Sequence, residues 1–221
     1  MVKLTLSANA GGALQLGQHR LLIDALHEGK LPGFSTLDHS LRQQIFEHTD
    51  FANPELICLT HTHPDHYSEA LIQKARMRWP NAKLSLPEGE QPVTCDDLQL
   101  TYIPLPHEGA EYENVPHFGI LIQWQGKHIL IPGDCRLADN TLVQAVAGIS
   151  IDLAILNFPW LTLKKGRECL ETVLQPKHCV FWHLPFADDD VNGYRRSAEA
   201  ALLHYPGQLL YHPLQAIELD I

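Results

Sequence analysis

The chain has 221 residues, 45% of them hydrophobic and 19% charged. That balance suits a globular fold with a sizeable core and excludes a disordered chain. No stretch approaches the ~20 uninterrupted apolar residues that a membrane-spanning helix needs. Lys and Arg total 16 against 26 Asp and Glu, a formal charge of −10. Such a surface repels phosphate backbones, so no nucleic-acid partner is expected, and the lack of a spanning stretch leaves no membrane partner expected either.

Val2–Leu6 alternates in polarity and reads as a strand, not as the charged start of a secretory leader. Residues 8–12 read as a turn, and Ala13–Leu16 and His19–Asp24 as strands around Gly17. Ser35–His48 is predicted helical, with Leu37, Leu41 and Ile45 on one face. Gly29–Phe34 before it reads as a lid or a dimer contact, so a homodimer is one candidate assembly. Leu56–Thr60 is a short apolar run, consistent with a buried strand, and Ser68–Met77 is a predicted helix closed by Pro80. Strands are expected at Leu84–Leu86, Leu98–Ile103, Phe118–Trp124 and His128–Pro132, the last two joined by a turn at Gln125-Gly126-Lys127. Leu153–Leu156 reads as a strand, Lys164–Leu174 as a helix, and Cys179–Trp182 as a strand. A helix at Ser197–Tyr205 and strands at Gln208–Tyr211 and Ala216–Leu219 close the chain. The strands form two groups, one in each half, with no Pro/Gly/Ser-rich linker between them. The expectation is one α/β domain over 1–221, two sheets packed together with helices outside. The five cysteines show no C-x-x-C spacing, which fits reduced thiols in a cytoplasm better than a disulfide framework.

Histidine is the outlier, at 14 residues. The run Leu56–Thr60 leads straight into His61-Thr62-His63-Pro64-Asp65-His66, so four potential metal ligands follow one apolar strand. Alternate residues His61 and His63 can aim at one point; beyond the turn at Pro64, Asp65 and His66 can face a second. A two-metal site needs that division. The remaining candidates also follow predicted strands: His107 after Leu98–Pro106, Asp134 after His128–Pro132, and His183 after Cys179–Trp182. Strand ends are where sheet scaffolds carry active-site groups. His117 rivals His107. His107 follows more directly on a strand and is preferred, which leaves His117 to line the pocket or contact a substrate oxygen. Cys135 beside Asp134 reads as a packed thiol rather than a ligand.

These residues, in this order, resemble the metallo-β-lactamase superfamily over nearly the whole chain. The resemblance begins at Asn9-Ala10-Gly11 and Leu21-Leu22-Ile23-Asp24 and runs through Thr60–His66, His107, Gly133-Asp134 and His183. It is strongest for the short metal-dependent hydrolases, such as the ascorbate-phosphate lactonase group, a placing supported by Asp152–Leu156 and Pro176-Lys177-His178. The resemblance implies an αββα sandwich with a dinuclear site, usually zinc. By carry-over His61, His63 and His107 bind the first ion, Asp65, His66 and His183 the second, and Asp134 bridges them. The donor types suit zinc, and also manganese or iron. His63 stands where the flavodiiron branch is expected to place an acid, which favours hydrolysis over oxygen reduction.

On that resemblance, two divalent ions would lower the pKa of a shared water, and the resulting hydroxide would attack a small ester, lactone or phosphodiester. Asp65 is also a candidate catalytic residue, orienting that water. No G-x-S-x-G, P-loop or G-x-G-x-x-G pattern offers another chemistry. Trp160, in Asn157-Phe158-Pro159-Trp160, is a candidate pocket wall, with a packed turn as the bland alternative. Arg195 is a candidate for a substrate phosphate or carboxylate, against a solvated helix face. Asp188–Asp190 reads as a helix cap before a third metal site. The competing functions are a nuclease and a non-catalytic metal-binding protein on the same scaffold.

Overall fold

The computed structural model describes residues 1–86 and 92–221. The chain divides into two compact units. The first holds Met1–Leu86, His183–Arg195 and Leu210–Asp220. The second holds Pro87–Trp182, Arg196–Leu209 and Ile221, with 87–91 outside the described residues.

In the first unit β1 (Val2–Ala8), β2 (Gly11–Leu16) and β3 (His19–Ile23) form an antiparallel meander. β4 (Leu56–Cys58) and β5 (Lys83–Ser85) then pair in parallel, each reached by a helical crossover, as parallel strands require. The crossovers carry α1 (His39–Glu47) and α2 (Glu69–Arg78). The chain's last strand, β13 (Ala216–Leu219), pairs with β1. The sheet order is β13-β1-β2-β3-β4-β5, so the strands do not sort strictly by halves of the sequence. Leu41, Ile45 and Phe46 of α1 and Leu71, Ile72 and Ala75 of α2 join Leu22, Ile57 and Trp79 in one apolar core.

α1 begins four residues later than its periodicity predicts. The Asn9 side chain takes both backbone groups of Ser35, accepting from its N–H at 2.9 Å and donating to its carbonyl at 2.5 Å. Ser35 is therefore unavailable to a helix, and Asp38 caps instead, accepting from Leu41 N at 2.7 Å. Ser68 caps α2 in the same way.

The second unit is a seven-stranded sheet of order β12-β11-β10-β9-β8-β7-β6. β6 (Val93–Cys95), β7 (Leu98–Pro104), β8 (Phe118–Trp124) and β9 (Lys127–Ile131) are antiparallel. β10 (Leu153–Asn157), β11 (His178–Trp182) and β12 (Gln208–Leu209) are parallel. At the β8–β9 turn Gln125 and Gly126 both have positive φ, 49° and 75°, the twist that a two-residue hairpin needs.

Beside a 3-10 turn at Ala110–Tyr112, one strand and two α-helices here have no counterpart in the sequence pattern: β6, α3 (Asn140–Ala145) and α4 (Pro159–Thr162). Each is too short to display a period. The predicted helix from Lys164 is α5 (Lys164–Cys169), continued to Leu174 as a π-helical turn. α6 (Tyr194–Ala201) starts three residues before Ser197, because the Asp190 carboxylate accepts from Tyr194 N at 2.8 Å and Arg195 N at 3.1 Å. The expected capping role of the acidic run thus falls to Asp190. Among the described residues no helix is long and apolar enough to cross a membrane, and none of the five cysteines forms a disulfide.

Candidate metal centre

The first unit gathers His61, His63, Asp65, His66 and His183. β4 delivers the first four directly, and Gly29 lets the neighbouring loop lie against their turn. A Cβ at Gly29 would stand 2.6 Å from the Pro64 carbonyl oxygen, where the Gly29 N–H instead donates at 2.9 Å. His183 follows β11 with φ of 59°, and its N–H donates to Asn9 O at 2.9 Å. Asn9 and Asp24 are also left-handed, at 47° and 46°. Three non-glycine residues in a sparsely populated conformation mark a region held by its surroundings.

Asp24, at the end of β3, organises the group. Its Oδ1 accepts from Thr60 N at 2.8 Å, and its Oδ2 accepts from Thr60 Oγ1 at 2.6 Å. Oδ2 also lies 3.0 Å from His66 Nδ1. A carboxylate only accepts, so the network assigns the His66 proton to Nδ1 and leaves a lone pair on Nε2. The same logic reaches His61. The Thr60 hydroxyl spends its hydrogen on Asp24 and accepts from His61 Nδ1 at 2.9 Å, which leaves His61 Nε2 with a lone pair. One buried carboxylate therefore sets the tautomers of two histidines, the orienting arrangement characteristic of metal-binding imidazoles.

Those lone pairs face other candidate donors. His61 Nε2 lies 3.1 Å from His63 Nδ1, and His66 Nε2 lies 3.3 Å from His183 Nε2. Asp65 Oδ2 stands 3.7 Å from His183 Nε2 and 3.9 Å from His66 Nε2. Asp65 Oδ1 is buried with no hydrogen-bond partner among the described residues. Asp65, His66 and His183 are all buried, with ligand atoms within 4.8 Å of one another. A buried carboxylate oxygen left unsatisfied beside two converging imidazoles is costly for the protein alone and suits a divalent cation. Asp24 also lies within that distance of His61 and His66, but its oxygens are occupied by Thr60 and His66, so it orients rather than binds.

The second unit holds His107, Asp134 and His117. His107 follows β7 by three residues and forms an isolated bridge with Cys135. Its Nδ1 lies 2.6 Å from Glu108 O, which places the proton there and a lone pair on Nε2, 3.8 Å from Asp134 Oδ2. Asn157, at the end of β10, donates from Nδ2 to Asp134 Oδ1 at 2.5 Å and accepts from Trp182 Nε1 at 3.1 Å. His117 precedes β8, with Nδ1 held by Leu105 O at 3.2 Å and its ring 5.3 Å from that of His107.

Cys135 is buried, and burial together with the Asp134 charge pushes its thiol pKa well up, so it stays protonated. Trp160 is only 1% exposed and offers little surface to a substrate. Arg195 stacks its guanidinium 4.4 Å above the Tyr211 ring.

Three residues that matter here carry weak sequence signals. Asp24 reads only as a strand end. Asn157 reads as part of a turn. His27 matches no ligand spacing, yet it is fully buried, with Nε2 3.2 Å from Ala8 O. Burial, then the charge of nearby His66, pushes its pKa down to about 4.

The fold is that of the metallo-β-lactamase-fold proteins, and solved structures that share it include metal-dependent hydrolases. The metallo-β-lactamase fold protein YhfI from Bacillus subtilis is similar over 98% of this chain and 98% of its own, with TM-score 0.62 and 13% identity. An isothiocyanate hydrolase from Delia radicum gut bacteria matches over 98% of this chain and 99% of its own, with TM-score 0.67 and 17% identity. CmlA, a diiron β-hydroxylase from Streptomyces venezuelae, matches 99% of this chain at TM-score 0.66 and 12% identity. The chain spans only 54% of CmlA's length. No family model and no curated protein matches the sequence.

Proposed function

We propose that the protein is a dinuclear metallohydrolase acting on a small ester, lactone or phosphodiester, with zinc as its ions. The observation that carries this reading is the buried Asp65–His66–His183 group, whose carboxylate oxygen Oδ1 is otherwise unsatisfied. His61, His63 and His107 would hold one ion, Asp65, His66 and His183 the other, and Asp134 would be the ligand common to both. Divalent ions so held would polarise a substrate oxygen and bring the pKa of water towards neutrality.

The chain's own residues do the rest. Asp24 keeps the Nε2 atoms of His61 and His66 deprotonated and aimed. Asn157 holds Asp134 through its Oδ1. Asp65 orients water through its remaining oxygen. His117 Nε2 contacts the substrate or the leaving group, and Arg195 meets an anionic substituent. The lactonase resemblance keeps lactones among the substrates. The charge of −10 supports a small molecule over RNA or DNA, and the thiol spacing supports a cytoplasmic location.

The test is elemental analysis of protein purified without added metal, followed by a screen of phosphodiesters, lactones and thioesters. About two ions per chain and turnover of one class are expected. A chain that binds no divalent ion, or a well-occupied site without His107 or His183, overturns the assignment. Tight binding to ordinary RNA at physiological salt would put the nuclease reading first.

A further inference from the structure

Two loop segments of the first unit, 30–35 and 183–190, are tied together by polar contacts. Ser35 Oγ donates to Asp189 Oδ2 at 2.8 Å and accepts from Phe186 N at 2.7 Å. Lys30 Nζ donates to Asp189 Oδ1 at 2.9 Å. Asn9 clamps the Ser35 backbone and, through its carbonyl, the His183 N–H. Asn9 and Ser35 are fully buried. Gly33, at φ 78°, passes so close to Asn192 that a Cβ would stand 2.5 Å from its Nδ2.

This scaffold fixes one side chain that serves no role in the clamp. Phe34, half-buried, sets its ring edge-on to His183, with centroids 4.8 Å apart and planes at 90°. On its other side stands Tyr194, 5.8 Å away and tilted by 31°, itself half-buried and anchored through its N–H on Asp190. A large aromatic ring held beside a ligand histidine, yet left partly open, is a contact surface of low entropic cost. Rings of this kind favour flat apolar partners through offset-stacked or edge-on contact.

We infer that Phe34, with Tyr194 beside it, is a specificity-determining aromatic wall on the His183 side of the site, and that the substrate carries an aromatic group next to its reacting centre. This rests on the proposed metallohydrolase reading and names its substrate class. The alternative is that Phe34 only packs His183 into place.

The test compares two metal-chelating probes, benzohydroxamate and acetohydroxamate, by calorimetry on the zinc-loaded protein. They share a chelating head and differ in the phenyl ring. The wild type is expected to bind benzohydroxamate at least about 10-fold more tightly, within the range of an aromatic contact plus its burial. Phe34→Leu, which keeps much of the apolar volume, and Phe34→Ala should hold the same metal content while the preference falls to about 3-fold or less. Phe34→Tyr should retain it. An unchanged preference in Phe34→Leu and Phe34→Ala, or none in the wild type while acetohydroxamate binds, overturns the aromatic wall and leaves the metal site standing. Loss of metal in Phe34→Leu assigns Phe34 to packing and also overturns it. Failure of both probes on the wild type removes the metallohydrolase reading and the wall with it.

Discussion

The two histidine groups are oriented by different means. In the first unit a single carboxylate, Asp24, reaches His66 directly and His61 through Thr60, so two candidate ligands depend on one buried group. In the second unit each histidine is held separately by a backbone carbonyl, His107 by Glu108 and His117 by Leu105, and Asp134 has its own partner in Asn157. Shared orientation concentrates the consequences of one substitution; separate orientation disperses them. The first group takes four of its five residues from 61 to 66 and adds His183 from far along the chain, whereas the second draws on three strands.

The largest effect tests the second group. His107→Ala is expected to lose one ion per chain and nearly all hydrolysis, because a ligand creates the reactive water. His117→Ala should keep both ions and change kcat or KM only. Metal content and turnover, measured after circular dichroism shows both variants folded, decide between them. If His117→Ala loses the ion instead, the ligand in this group is misassigned.

Next comes the shared carboxylate. Asp24→Asn should weaken both ions by about 10–100-fold, the cost typical of losing a group that orients metal ligands. Competition with a chromogenic chelator resolves the two affinities. Weakening of a single ion would show that Thr60 orients His61 without help from Asp24.

A third expectation concerns acid. Unfolded His27 takes a proton near its ordinary 6.5, and the folded protein only near 4. Between those values the unfolded state binds more protons, so stability falls as pH drops from about 6.5 to 4 and then levels. The total is about 3 kcal/mol. Urea melts of metal-free wild type and His27→Gln at pH 7 and pH 4.5 measure it. The variant should lose less stability on acidification, and an equal loss would assign the acid sensitivity to other histidines.

The smallest effect belongs to a dispersed contact. Asn157→Leu removes the hydrogen bonds to Asp134 Oδ1 and from Trp182 Nε1, at about 1–3 kcal/mol of stability. It should weaken both ions by a few-fold, because Asp134 is the ligand proposed to be common to them, and by less than Asp24→Asn does. A thermal melt with the same chelator competition checks both parts.

Much of the molecule is legible in the order of its residues. Strands with clean alternation or continuous apolar runs, such as β1, β8 and β10, lie where expected, because their burial is written in their own side chains. The start of α1 is not legible, since periodicity does not reveal that Asn9 holds Ser35 from 26 residues away. The short β6, α3 and α4 carry no period to read. Capping by the acidic run follows from charge near a helix start, but the reach of Asp190 to Tyr194 and Arg195 does not.

By itself the sequence determined the donor chemistry: the spacing of His61, His63, Asp65 and His66 after an apolar strand is local, and local geometry follows from the chain. Only the tertiary structure decided what orients those donors. Asp24 lies 42 residues from His66, and His183 meets His66 across 117. Contacts of that separation arise from sheet order and loop path, which no single segment encodes. A hydrogen bond then chooses the tautomer, and with it the lone pair that a metal ion can use.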